Sequence, residues 1–178
     1  MRRMIIAGVI ALIALIAVAT WDYLKFSGRF LPPITRIEHA NSILVEKQKR
    51  QMTLLRDGTP IKTYTVALGR DPVGHKRQEG DSRTPEGSYK IDFKNEHSRF
   101  HLALRISYPE TADKDQARQR GVPPGGDIMI HGLPNGLGWV RRWHLARDWT
   151  DGCIAVTNAE IEEIWAMVDV GAAIDIRP

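Results

Sequence analysis

Hydrophobic and polar residues alternate along much of the chain with a period of two, the spacing that is typical of half-buried β-strands. The pattern predicts strands over 43–47, 51–56, 61–68, 88–93, 100–107, 127–130 and 173–176. Apolar residues at helical spacing predict one packed helix near the C-terminus, which starts with a capping box of Thr157 and Glu160 and ends at Gly171. A short polar helix is predicted over 111–120. We therefore expect a mainly β domain with one packed C-terminal helix.

The first residues break this pattern. An almost unbroken apolar run covers residues 4–19, and it follows Arg2 and Arg3. The run is near the lower length limit of a membrane-spanning helix, and basic residues on its amino-terminal side favour keeping that end in the cytoplasm. A cleaved signal peptide is the alternative, because residues 17–19 have the small-x-small pattern that signal peptidase accepts. Both interpretations export the rest of the chain.

Three regions follow from this reading. Residues 1–21 form a transmembrane anchor or signal peptide, residues 22–33 form a Pro-containing spacer, and residues 34–178 form the folded domain. The length of 178 residues suits a single domain with a substantial core, and 43% hydrophobic and 26% charged residues are typical of a folded globular chain.

Charge and ligand spacing exclude several classes of function. The net charge of +4 is not accompanied by any nucleic-acid recognition pattern, so no nucleic-acid partner is expected. His97 and His101 are four residues apart but fall in a predicted strand without a third ligand, so no metal site is expected. Cys153 is the single cysteine, which excludes an intrachain disulfide and a cysteine-rich zinc site.

The surroundings of Cys153 suggest a use for this thiol. In an exported protein an unpaired cysteine calls for complete burial or a function. Gly152 allows a tight turn and a close approach of a substrate carbonyl to Cys153. His131, at the end of a predicted strand, is the candidate base, and the carbonyl of Gly132 or a neighbour can orient its ring. If Cys153 is only a buried core residue, the domain is instead a non-catalytic binding module.

The segments Ile130-His131-Gly132 and Thr150-Asp151-Gly152-Cys153, preceded by Thr-Pro-Glu-Gly-Ser-Tyr at 84–89, resemble the L,D-transpeptidase (YkuD-type) catalytic domain. The resemblance covers the chain from about residue 34 to its end. It implies a mainly β fold of sandwich or mixed sheets and no cofactor. It also implies a bacterial cysteine acyltransferase that acts on peptidoglycan peptide stems, by L,D-transpeptidation that gives 3-3 crosslinks or attaches protein. The chain would then lie in the cell envelope, anchored in the inner membrane and facing the periplasm, or secreted into the periplasm.

The resemblance also implies roles by position. Cys153 attacks the carbonyl of the third stem residue, expels the terminal D-alanine and holds the acyl group as a thioester. His131 is the base and Gly132 orients it, while Gly152 with Cys153 supplies the oxyanion donors. Thr150 matches the serine or threonine of the family and, with Asp151, is a substrate-binding candidate.

Three departures from the family pattern modify this expectation. Asp151 stands where a second histidine is frequent, and Ala155 stands where many members have arginine or asparagine. The stretch between the histidine and the threonine is longer than usual. We hypothesise that it forms a lid in which Trp143, Arg141 and Arg142 contact the substrate and the arginines bind its carboxylate. A hydrolase that cleaves wall crosslinks or wall-linked protein is a second enzymatic reading, and the sequence does not indicate an oligomeric state.

Overall fold

The computed structural model describes residues 38–178. The predicted anchor or signal peptide and the spacer lie outside the described residues. No helix within 38–178 combines the length and the apolar character that a bilayer crossing requires.

Strands dominate the described part of the chain. In chain order they are β1 (Ala40–Glu46), β2 (Gln51–Arg56), β3 (Thr59–Thr65), β4 (Gly87–Ser98), β5 (His101–Ile106), β6 (Met129–His131), β7 (Ile154–Ala155) and β8 (Val168–Arg177). Two α-helices, α1 (Thr111–Gln119) and α2 (Asn158–Met167), and a 3₁₀ segment, Gly138–Ala146, complete the secondary structure of residues 38–178.

The eight strands form one continuous curled sheet in the order β3-β2-β1-β8-β4-β5-β6-β7. Only the pairs β1–β8 and β6–β7 are parallel among these neighbours. The expected mainly β fold with a mixed sheet is confirmed, and the sheet is continuous, not a two-sheet sandwich, because of β4, a strand of twelve residues. Its first residues pair with β8 and its later residues pair with β5, so that a single strand joins the two halves of the sheet.

Helix α2 covers one face of this sheet. Its cap is the predicted one: Thr157 Oγ1 accepts from the Glu160 N–H at 3.3 Å, and Glu160 Oε2 accepts from the Thr157 N–H at 2.9 Å. Ile161 and Ile164 are fully buried against the apolar side chains of the strands. Burial of these aliphatic groups is the main stabilising contribution that the helix receives.

The predicted end of α2 at Gly171 is wrong. The helix ends at Met167, and Gly171 lies inside β8 with a φ of +96°. The register between β1 and β8 shifts there, because Ala40 pairs with Val168 whereas Ser42 pairs with Ala173. The glycine therefore serves a bulge in a strand rather than a helix terminus.

Two features of the fold bring distant segments to one place. The chain leaves β3 at Thr65, three residues before the predicted strand end, and isolated bridges then join Ala67 to Ala155 and Gly69 to Thr150. The long loop of residues 70–86 is fastened by Lys47, which is 2% exposed. Its ammonium donates to Gly74 O, Thr84 O and Glu86 Oε1 at 2.6, 3.0 and 2.8 Å.

Candidate active site

A cavity of about 520 Å³ lies where these segments meet. Its lining includes the end of β4 and the turn into β5, from Asn95 to Phe100, together with Met129 and His131 from β6. The turn 149–153, which ends in Cys153, and Arg70 also line it. The structure thus brings the predicted nucleophile and the predicted base into one cavity.

The pairing of β6 with β7 sets the relation between these two side chains. The strands are parallel, and His131 is the register partner of Ala155. Side chains two residues apart on an extended chain share a face, so Cys153 lies on the same face as Ala155 and diagonally across from His131. This arrangement directs the thiol and the imidazole into the same space.

The Cys153 thiol is partly buried. Its sulfur lies 3.7 Å from the Asp127 carbonyl oxygen, to which it donates, and it accepts from the Met129 backbone N–H. Burial raises the pKa of the Cys153 thiol, and the Met129 N–H only partly offsets that effect. The resting cysteine is therefore a neutral thiol.

The His131 ring is buried and held on two sides. Its Nδ1 lies 2.7 Å from the Gly132 carbonyl oxygen, so Nδ1 carries the proton and Nε2 has a free lone pair. The ring packs against Phe100 and Trp149, with centroids 4.5 and 5.8 Å away. Burial lowers the pKa of His131 to about 4; the Gly132 carbonyl opposes this, and the charge of His144 adds to it. The imidazole is therefore neutral at pH 7.

The pair consequently rests as thiol and imidazole rather than as thiolate and imidazolium. In this state His131 can act as a general base, taking the proton from sulfur as the sulfur attacks a carbonyl carbon. The low dielectric that keeps both groups neutral also strengthens their interaction with the charges that develop during attack.

The turn before Cys153 is stabilised by Thr150. Its Oγ1 accepts from the Gly152 N–H at 3.1 Å and donates to the Cys153 carbonyl oxygen at 2.7 Å. Thr150 is 5% exposed, so its hydroxyl shapes the turn and is not free for a substrate. The Gly152 N–H, a predicted oxyanion donor, is bonded to this hydroxyl in the structure. Of the predicted pair of donors, the Cys153 N–H is left to serve a substrate oxygen.

Gly152 itself is required by geometry. Its φ is +127°, and a Cβ at this position would lie 2.5 Å from the Arg83 carbonyl oxygen. The glycine therefore allows the loop 70–86 to pack against the turn that carries the nucleophile.

The same turn is fixed from behind by Asp148. Its Oδ2 accepts from Arg50 Nη2 at 2.8 Å, and its Oδ1 accepts from the Leu68 N–H at 2.9 Å. These contacts tie the turn 149–153 to the connection between β1 and β2 and to the segment that follows β3.

The hypothesis of an arginine lid is not supported by the positions of its residues. Arg141, Arg142 and Trp143 lie outside the lining of the cavity. Arg142 pairs with Glu160 at 3.2 Å, and Trp143 is 83% exposed beside a separate groove of about 350 Å³. The 3₁₀ segment breaks at Arg141, whose φ is +48°, and packs toward the start of α2 instead of over Cys153.

Other residues of the cavity were not anticipated as site residues. They are Arg70, Asn95, Ser98, Arg99, Phe100 and Met129. Arg70 pairs with Asp151 at 2.6 Å although 81 positions separate them in the sequence. Only the bridge between Gly69 and Thr150 brings them together, and no local spacing signals such a bridge.

Comparison with known proteins decides the family. The model of the YkuD L,D-transpeptidase catalytic domain matches residues 40–176. The chain belongs to this family. The match confirms the resemblance of the His131 and Cys153 segments to this family, and it covers every strand of the sheet from β1 to most of β8.

Individual relatives of this L,D-transpeptidase-family chain are distant. The Escherichia coli K12 protein named "Putative L,D-transpeptidase YafK" is 27% identical over 121 residues, which are 66% of this chain and 41% of that protein. The helical cell shape determining protein Pgp2 of Campylobacter jejuni has a TM-score of 0.58 at 24% identity, with 78% of this chain and 48% of Pgp2 covered. Bd1075 of Bdellovibrio bacteriovorus has a TM-score of 0.53 at 25% identity, with 80% and 49% covered. The chain thus spans less than half the length of each of these relatives.

Proposed function

We propose that this chain is a cysteine acyltransferase that acts on peptidoglycan peptide stems through a thioester on Cys153. The observation that carries the proposal is the shared cavity of Cys153 and His131, with Nδ1 of the histidine bound to Gly132 and Nε2 free. Membership of the L,D-transpeptidase family supports the substrate class.

The geometry supports a two-step reaction. In the first step His131 Nε2 takes the proton of the Cys153 thiol while the sulfur attacks the carbonyl carbon of the third stem residue. The Cys153 N–H is the backbone donor for the oxyanion. The tetrahedral intermediate then collapses, the C–N bond to the terminal D-alanine breaks, and His131 returns the proton to the leaving amine.

In the second step the thioester is resolved. An acceptor attacks the thioester carbonyl, gives its proton to His131 Nε2, and the C–S bond breaks. The expelled thiolate regains the proton from His131. An amine acceptor yields a 3-3 crosslink or attached protein, and water yields a shortened stem. Transfer and hydrolysis place the same demands on Cys153 and His131.

We further propose that the domain works in the bacterial cell envelope, facing the periplasm. The apolar run at residues 4–19 behind two arginines supports export, and it supports either an inner-membrane anchor or a cleaved signal.

Muropeptide analysis tests the proposed function. Cells that express the full-length chain or its Cys153→Ala variant are compared by mass spectrometry of their digested peptidoglycan. We expect new 3-3 dimers, or a gain of tripeptide stems, with the wild-type chain and neither with the variant. New dimers identify transfer, whereas loss of existing dimers or release of wall-linked protein identifies hydrolysis. Identical muropeptide profiles for the two chains would refute catalysis.

A further inference from the structure

Arg70 and Asp151 form an exposed ion pair at the side of the cavity that holds Cys153. Arg70 Nη1 lies 2.6 Å from Asp151 Oδ1, and both side chains line the cavity. The two side chains are 60% and 76% exposed. Because water screens both charges, such a pair contributes little to the stability of the fold. A second carboxylate that enters the cavity can therefore replace Asp151 on the guanidinium at little cost.

The base of the Arg70 side chain is fixed relative to the nucleophile. The Arg70 N–H donates to the Thr150 carbonyl oxygen at 3.0 Å, and Gly69 bridges to Thr150. Thr150 in turn holds the Cys153 carbonyl oxygen. The backbone of Arg70 is thereby anchored to the turn that carries the nucleophile, so that a group bound by the guanidinium is kept in the cavity of Cys153.

The side chain two positions after the nucleophile, that of Ala155, cannot take this role. Ala155 is fully buried, and both its N–H and its carbonyl oxygen are bonded to Ala67. No cationic side chain is available at that place. The basic side chains of the cavity are instead Arg70 on the nucleophile side and Arg99 on the turn between β4 and β5, apart from its histidines.

We infer that Arg70 binds the free α-carboxylate of the terminal residue that the enzyme releases, and that Asp151 occupies the guanidinium until substrate arrives. A guanidinium binds a carboxylate with two parallel N–H···O bonds, so the site selects a planar anion of this shape. The inference rests on the proposed function and specifies its substrate class: stems with a free carboxyl terminus are favoured over stems whose terminus is amidated or linked.

Asp151 then competes with the substrate carboxylate for the Arg70 guanidinium. Replacing it by asparagine removes the competing charge and leaves Arg70 free. We expect Asp151→Asn to lower KM for the acid substrate by about 2- to 5-fold, the size of an exposed ion pair. A purely structural role for the ion pair does not predict that the conservative substitution Asp151→Asn improves substrate binding.

Two matched peptides test the inference with the purified full-length chain. One is a tetrapeptide stem that ends in D-alanine, and the other is the same stem that ends in D-alaninamide. Release of the terminal residue gives kcat and KM. We expect the wild type to favour the acid, and Arg70→Ala to raise KM for the acid by about 10- to 100-fold, with kcat and the amide KM little changed. Arg70→Lys should keep part of the preference.

Control variants separate Arg70 from other basic residues. Arg118→Ala removes an exposed arginine that pairs with Asp115 on α1, away from the cavity, and is expected to change neither KM. Arg99→Ala tests the other arginine of the cavity. The inference is overturned if Arg70→Ala keeps the acid-over-amide ratio of the wild type, or if Arg99→Ala abolishes that ratio and Arg70→Ala does not.

A binding measurement keeps this test separate from that of the proposed function. Calorimetric titration of the Cys153→Ala variant with both peptides gives Kd without turnover. A preference for the acid that Arg70→Ala abolishes supports the inference even if the wild type releases no D-alanine, which would refute only the proposed function. Turnover without any dependence on Arg70 refutes only the inference. Absence of both binding and turnover refutes both.

Discussion

At the scale of single residues, the site is controlled by burial. The same desolvation raises the pKa of the Cys153 thiol and lowers that of His131, so neither group is charged at rest. One hydrogen bond and two aromatic contacts prepare the histidine: the Gly132 carbonyl fixes the tautomer, and the rings of Phe100 and Trp149 fix the ring plane. The base is therefore available well below neutral pH.

This leads to a prediction for the pH dependence of activity. Since the pKa of His131 is about 4, kcat/KM should stay level from about pH 8 down to about pH 5 and fall only below that. The assay should use the amide-terminated stem, because its terminus carries no group that titrates in this pH range. An acid limb centred near the ordinary histidine value of about 6.5 would contradict a buried neutral base.

Folding stability should depend on the same group. The unfolded chain binds a proton at His131 between about pH 6.5 and pH 4, and the folded chain does not. The free energy of unfolding should therefore fall as the pH drops through this window, by up to about 3 kcal/mol. Urea unfolding of the wild type and of His131→Asn at several pH values measures the difference, and equal slopes for the two proteins would contradict the prediction.

The residue scale also shows what the sequence could identify. The sequence could identify the nucleophile, the base and the glycine beside each of them, because thiol chemistry requires these residue types. They are Cys153 with Gly152 and His131 with Gly132. Arg70 could not be identified in this way, because its relation to Asp151 exists only through a bridge between remote segments. The role of Thr150 was also missed, since a hydroxyl that closes a turn and one that binds a ligand look alike in a sequence.

At the scale of elements, the alternation of hydrophobic and polar residues located most strands but did not predict how the strands pair. Six of the predicted strands overlap β1, β2, β3, β4, β5 and β8, and the seventh overlaps β6. The sequence did not predict that β4 pairs with two partners or that Gly171 forms a bulge, because strand pairing is determined by the whole sheet. The lid was misplaced for a similar reason: the start of α2, where Asn158 accepts from the Leu133 N–H at 2.8 Å, holds the connection from β6 away from the cavity.

Asp148 gives a prediction at this scale, because it joins three elements through one carboxylate. Asp148→Asn keeps the shape but turns an N–H₂ group toward Arg50 or toward Leu68 N–H, so that one contact is lost. We expect the free energy of unfolding to fall by about 1–3 kcal/mol. Asp115→Asn removes an exposed carboxylate of α1 and should cost less than about 1 kcal/mol. Chemical denaturation compares the two, and equal losses would contradict a bracing role for Asp148.

At the scale of the whole molecule, the described residues form the catalytic domain of a family whose relatives here are about twice as long. One cavity of the domain is lined by the residues to which we assign the proposed reaction: Cys153 as nucleophile, His131 as base and Arg70 as the inferred carboxylate-binding residue. The apolar run at residues 4–19 is the part of the chain from which we derive the proposed location in the envelope.

The proposed reaction depends on a covalent bond between Cys153 and the stem. Intact-protein mass spectrometry after incubation with the D-alanine-terminated tetrapeptide and rapid acid quenching measures that bond directly. We expect the wild-type mass to rise by the stem minus D-alanine, with the adduct mapped to Cys153 by peptide digestion, and we expect no adduct on Cys153→Ala. Release of D-alanine at the wild-type rate by Cys153→Ala, or turnover that passes through an adduct on another residue, would contradict the account.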